Sequence, residues 1–249
     1  KNVKKLLVDI MNPNDLEIIT NKELFIKKIK SLKHLNSWHD SNIIMSLFTL
    51  RYALFEGNKN DIGLNSCIDY LEKIQNKKTG LWHSINNFGG NLNAMAGTYH
   101  YLPLFMAIQR PIPKKNQIIM STINLHIING HFSAPKGHSC IDLDAYSILF
   151  YCNNNKNKNS SKVIKKLSKK FIKNISYVIN KDGGFSDFPT NYNFIEFILI
   201  IKVLLSKLFF HKDYQTILWN LKAIFRTLPF IKSKLIITSN SDPICSSYI

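Results

Sequence analysis

The sequence predicts an all-α fold, a two-layer ring of paired helices, and three observations carry that prediction. A glycine-x-aromatic turn recurs as Gly80-Leu81-Trp82, Gly130-His131-Phe132 and Gly183-Gly184-Phe185, at intervals of 50 and 53 residues (80 to 130, 130 to 183). Recurrence at such a period marks a repeat architecture. Helical-period runs also alternate in kind: one carries a polar face and the next is apolar nearly all round,. That alternation suits outer helices facing solvent and inner helices packed on the outer layer and on each other. Finally, the runs are too long and too helical in period for a β-rich solenoid.

Residues 1–21 begin basic and briefly apolar, but Asp9 ends the apolar run, so they do not read as a signal peptide,. They stand as an N-terminal segment, open to trimming, outside the repeat region. Residues 22–33 then place apolar side chains at helical spacing. Residues 40–55 are apolar nearly all round, with Asp40 offering an N-cap,. Residues 62–76 are amphipathic and end in Tyr70-Leu71-Glu72-Lys73-Ile74-Gln75. Residues 92–108 are apolar, 116–128 amphipathic and 142–152 apolar again. Residues 161–179 are basic and amphipathic, 193–209 apolar, and 213–227 close the series. The apolar stretch from Phe194 to Phe210 is broken by Glu196, Lys202 and Lys207 and falls short of the roughly 20 residues a bilayer span requires,. It reads as a buried helix, with a membrane-surface helix as the alternative. Residues 22–228 form one repeat domain containing a polar loop at 153–161, followed by a tail, 229–249. Each turn glycine would adopt a left-handed C-cap conformation, and each turn aromatic would plug the gap between helix pairs.

Tyr70, Leu71, Ile74 and Gln75, followed by Gly80-Leu81-Trp82, form a pattern that resembles the repeats of the terpenoid cyclase and protein prenyltransferase superfamily. The copies at Gly130 and Gly183 resemble the same motif in weaker form. The resemblance spans about 200 residues (22–228) but rests on a few positions in each repeat. It implies an α/α toroid, paired helices in a ring around a central cavity. The chain has fewer inner helices than such rings usually hold, so a partial or open ring is expected. Cys140-Ile141-Asp142-Leu143-Asp144-Ala145 partly resembles the Asp-x-Asp-Asp motif of class II terpenoid cyclases, whose central Asp protonates an alkene or epoxide. Asp142 and Asp144 match its first and central carboxylates, and Ala145 stands where the motif has its last.

Charge and cysteines limit the alternatives. The formal charge of +17 is spread along the chain, densest between Lys156 and Lys173, without aromatic-interleaved basic strands or an RNP-like segment,. Nucleic-acid binding is therefore disfavoured, while attraction to an anionic membrane surface or an acidic substrate stays open. Cys67, Cys140, Cys152 and Cys245 are scattered and contain no CxxC pair. Most of them read as ordinary buried thiols, and the set as a whole suits a reducing, cytoplasmic compartment.

Using each turn glycine as a ruler brings polar residues at the starts of the apolar helices to one level of the ring. These are Trp38-His39-Asp40, Asn93, Asp142 with Asp144, and Glu196. Asp40 and Asp142 also suit helix capping. Asp144 lies further in, where a carboxylate needs a partner or a raised pKa. His39, His83, His100, His131 and His138 gather near the same segments, and a His beside Tyr and a carboxylate suits acid–base work,. Asp144, Asp142, His100 and His39 are the expected catalytic residues. Trp38, Asp40, Asn93, Tyr99, Tyr101, His138, Tyr146 and Glu196 are the expected substrate contacts. The alternating His138, Cys140 and Asp142 lack a second ligand cluster, so no metal and no other cofactor is expected. The expected activity is proton-initiated cyclisation or isomerisation of an apolar small molecule. Carbohydrate lyase or epimerase chemistry at Asn93, His100 and Tyr101 is one alternative, and a non-catalytic lipid- or protein-binding repeat is another. The oligomeric state is left open.

Overall fold

The computed structural model describes residues 3–84, 87–133, 139–153, 158–174, 194–211 and 213–232. Among the described residues there are eleven helices and no strand beyond one isolated bridge, Ile128 with His131. The chain forms two compact units. Unit 1 comprises residues 1–88 and 93–117, and unit 2 comprises 89–92 and 118–249.

Unit 1 opens with α1 (Val3–Ile10) and α2 (Pro13–Thr20), two helices in the segment to which the sequence pattern assigned no element. Asn12 caps α2 by accepting from the Asp15 amide at 2.8 Å, and Pro13 opens it,. Ile19 is fully buried, which ties this segment to the unit. α3 (Lys22–Ser31) follows, capped by Asn21.

α4 (Ser37–Leu54) begins before the predicted start, and Asp40 falls in its first turn instead of capping it. The reason is a complete set of partners for the amides at the helix start. The Ser37 amide donates to Asn87 Oδ1, the Trp38 amide to Asn93 Oδ1 and the His39 amide to Asn36 Oδ1. α5 (Ile62–Ile74) is capped by Asp61 and buries one face: Leu64, Cys67, Ile68 and Leu71. α6 (Gly90–Ala107) is apolar nearly all round. It passes so close to α4 that a Cβ on Gly97 would lie 2.6 Å from the Ser37 carbonyl oxygen,.

Arg51 is the polar keystone of unit 1. Its guanidinium forks onto both Asp61 oxygens at 2.7 and 2.8 Å and donates to the carbonyls of Ile19 and Thr20. Phe25 and Phe55 lie against its π-face,. One side chain thus joins α2, α4 and α5. Arg51 also helps hold the Asp61 carboxyl below its usual range, against the upward push of burial,.

Unit 2 contains α8 (Ser139–Cys152), α9 (Lys158–Asn174), α10 (Phe194–His211) and α11 (Tyr214–Lys232). α7 (Lys115–Leu125) belongs to it from Ile118 onward. α9 takes in the end of the predicted polar loop, where Ser160 is buried and Ser161 Oγ donates to Asn153 Oδ1. α11 runs past Pro229 to Lys232, so the predicted tail begins as helix. Asp213 caps α11 through the Thr216 amide and also accepts from the amide of Asn91, a residue of this same unit. Ile127, Ile200, Leu204 and Ile224 form an apolar core in this unit. Lys207 of α10 donates to the carbonyls of Asn124 and His126, where α7 ends,. No helix among the described residues is long and apolar enough to cross a membrane.

Candidate functional site

The recurring turn organises the polar groups of each unit. Gly80 and Gly130 both have left-handed backbones, with φ of 73° and 92°,. Neither is the helix C-cap, however. α5 ends at Ile74, with Gln75 as its C-cap, and α7 ends at Leu125, and each glycine sits in the loop beyond. Trp82 and Phe132 are fully buried, as core plugs would be. Phe185 lies outside the described residues.

A turn buried in apolar surroundings must find partners for its own peptide groups. In unit 1, Gln75 Nε2 donates to the Gly80 carbonyl at 2.7 Å, and the Trp82 amide donates to Thr98 Oγ1 of α6. Trp82 Nε1 donates to the Leu71 carbonyl. In unit 2, α8 performs the same service with different residues. Tyr146 Oη donates to the Gly130 carbonyl at 2.8 Å, and the Phe132 amide donates to Asp142 Oδ1 at 2.8 Å.

Asp142 does more than hold an amide. Its second oxygen receives His131 Nδ1 at 2.6 Å, with both side chains buried. The imidazole is thereby oriented, its Nδ1 proton committed to the carboxylate, and its Nε2 is buried without a partner,. Phe171 of α9 packs edge-on against the same ring. His131 was visible in sequence among the turn histidines. Nothing in the spacing alone paired it with Asp142.

Asp144 sits in a different environment. It is 5% exposed, between Leu143 and Ala145 on an apolar helix, and its Oδ2 is buried with no hydrogen-bond partner. Burial pushes its carboxyl well above the usual range, and Cys140 adds to the push,. The carboxyl therefore holds its proton to higher pH than an ordinary carboxylate does,. The spacing of two residues turns Asp142 and Asp144 to nearly opposite sides of α8. They do not form one carboxylate cluster.

Tyr146 is half-buried, with its ring against Phe132 and Phe171. Its hydroxyl pKa is raised by burial and by Asp142. It also lines a groove of about 420 Å³ with Leu149, Phe150, Ile164, Phe171 and Ile172. Asp144 is not among the described residues lining that groove.

The other expected site residues fall in unit 1. Asn93 uses both ends of its amide at the start of α4, accepting from the Trp38 amide and donating to Asn36 Oδ1. Trp38 and Asp40 are half-buried there, and His39 is exposed with its ring 3.3 Å from Asp40. His39 thus stands on the solvent side of α4. His100 is buried and meets Ser41 Oγ at 2.8 Å through Nδ1. Ser41 Oγ donates to the Trp38 carbonyl, so it accepts from His100, which leaves Nε2 as the acceptor of that ring,. Burial pulls the His100 pKa down to about 4. Tyr99 is half-buried beside that ring. Tyr101 is fully buried against Trp82, and its hydroxyl meets His34 Nδ1 at 3.2 Å. His100 and Tyr101 therefore serve separate partners.

His138 lies outside the described residues. Glu196 falls in α10, with its side chain outside them. Among the described residues no group of three or more His, Cys, Asp and Glu side chains could hold a metal ion. Comparisons with family models, curated proteins and solved structures find no match to this chain.

Proposed function

We propose that the protein is a proton-transfer enzyme, similar in kind to the terpenoid cyclases, which cyclises or isomerises an apolar small molecule with Asp144 as the acid. The observation that carries this reading is the Asp144 carboxyl: buried on an apolar helix, with Oδ2 unpartnered. A carboxyl left in that state costs stability, and unexplained polar strain of this kind is commonest at functional sites. A neutral carboxyl in apolar surroundings is also the form that donates a proton. An isomerisation balances its own protons. Asp144 adds one to an alkene carbon, and the resulting carboxylate removes another from a neighbouring carbon of the cation. In this reading Asp142 is a positioning carboxylate, because both of its oxygens are already used by His131 and Phe132. The alternation of apolar and amphipathic helices supports an α/α toroid as the frame, with the substrate against the apolar helices. No cofactor is needed for this chemistry.

The test compares metabolites of cells expressing wild type and Asp144→Asn. The amide keeps the shape but lacks the acidic proton, so the product should vanish while the variant stays folded. A metabolite profile that is the same in both, and in cells without the protein, removes the acid role.

A further inference from the structure

α9 and the groove it forms with α8 combine a cationic face with exposed apolar side chains. α9 has seven lysines and no carboxylate, in the sequence Lys158-Asn-Ser-Ser-Lys-Val-Ile-Lys-Lys-Leu-Ser-Lys-Lys-Phe-Ile-Lys-Asn174. The lysines fall into two adjacent rows at helical spacing: Lys165, Lys169 and Lys173, then Lys158, Lys162, Lys166 and Lys170,. All seven are exposed. One residue before the first row runs a third, Ile164, Ser168 and Ile172, which lines the groove with Phe171. At about 100° per residue the first lysine row lies about a quarter-turn round α9 from the groove-lining row, and the second lies further round, away from the groove,. On its α8 wall the groove is lined by Leu149 and Phe150. Two of these apolar residues stand out into solvent, Phe150 at 78% exposure and Ile172 at 67%.

Large apolar side chains held in water beside a cationic helix face with no carboxylate of its own suit an interaction surface,. The pattern is that of an interfacial helix: low overall hydrophobicity, a strongly cationic face and an adjoining apolar edge. The chemistry of the edge selects the occupant. Phe150 and Ile172 can enter acyl chains, whereas an aliphatic Ile offers a nucleic-acid base no stacking face. The lysine stems add apolar length beside them while their ammonium groups stay in water. We propose that α9 and the α8–α9 groove dock the protein on an anionic phospholipid surface, with Phe150 and Ile172 entering the acyl boundary and the lysine rows meeting the headgroups. This site is independent of the acid role of Asp144 and stands or falls separately from it.

Vesicle co-sedimentation of the full chain tests the proposal, using phosphatidylcholine alone and phosphatidylcholine mixed with phosphatidylglycerol. Binding is expected to the mixed vesicles, absent with phosphatidylcholine alone and weakened as salt screens the lysines. Replacing Lys165, Lys169 and Lys173 by Gln removes three exposed charges without touching the core and should weaken binding by roughly a hundredfold. Phe150→Ser should weaken binding at high salt as well, because its contribution is apolar. Circular dichroism on each variant confirms that the helices remain. Equal binding to both vesicle types, or unchanged binding by the lysine variant, overturns the proposal. So does displacement from vesicles by a single-stranded oligonucleotide that binds the same lysines more tightly.

Discussion

Arg51 and Asp144 show two ways in which an ionisable group is accommodated inside this protein. Arg51 is 3% exposed, yet every direction of its guanidinium is filled by Asp61, two carbonyls and two aromatic faces. Removing one partner of such a buried pair leaves the other uncompensated, at a cost of about 3–5 kcal/mol. Arg51→Ala should therefore lower the thermal midpoint sharply. A melt within a degree or two of wild type would show that Asp61 finds water instead. Asp144 is the opposite case, because one of its oxygens has nothing to bond. Its unusual position was legible in sequence, since a carboxylate one turn into an apolar helix has few local solutions. The role of Arg51 was not. It depends on Asp61, ten positions away, and on Ile19 and Phe25, which reach it only through the fold.

At the scale of the element, the turn at Gly130 is the most constrained. Its φ of 92° resists any residue with a Cβ, and an added Cβ would lie 2.5 Å from the Phe171 backbone nitrogen. Gly130→Ala should cost at least about 1–3 kcal/mol from the backbone alone, read as a shift of the denaturant midpoint without a change of slope. An unshifted midpoint would mean that α9 moves freely away from the turn. The turns were legible because a glycine and an aromatic repeat at a fixed interval. Element starts were less so. The Asp40 carboxylate looked like the cap of α4, but Asn36, Asn87 and Asn93 satisfy its first amides, two of them from distant sequence. α1 and α2 escaped because they are short. Asn12-Pro13 with Asp15 was nonetheless a readable start signal for α2,.

For the molecule as a whole, buried histidines set the acid limit of stability. Burial holds His100 and His126 at about 4 and lowers His34, against 6.5 for an ordinary imidazole. The unfolded chain then binds more protons than the folded one across that window, so stability is lost as pH falls from about 6.5 toward 4. His100 alone accounts for up to about 3 kcal/mol of this loss. Asp144 acts with the opposite sign. Its raised carboxyl favours the fold at low pH, and that contribution fades as pH rises above the unfolded carboxyl value of about 3.9,. Thermal melts should therefore fall between pH 6.5 and 4 in wild type and fall further in Asp144→Asn, which lacks the opposing contribution. A midpoint independent of pH over that range would mean that these imidazoles are charged in the folded state. By itself the sequence determined the helical class, the alternation of apolar and amphipathic helices, the glycine turns and the suspicion attached to Asp144, because each follows from spacing along one stretch of chain. Only the tertiary structure decided that Asp142 serves His131 and the turn while Asp144 Oδ2 is buried without a partner. Whether a buried polar atom has a partner depends on what the fold brings to it from elsewhere in the chain.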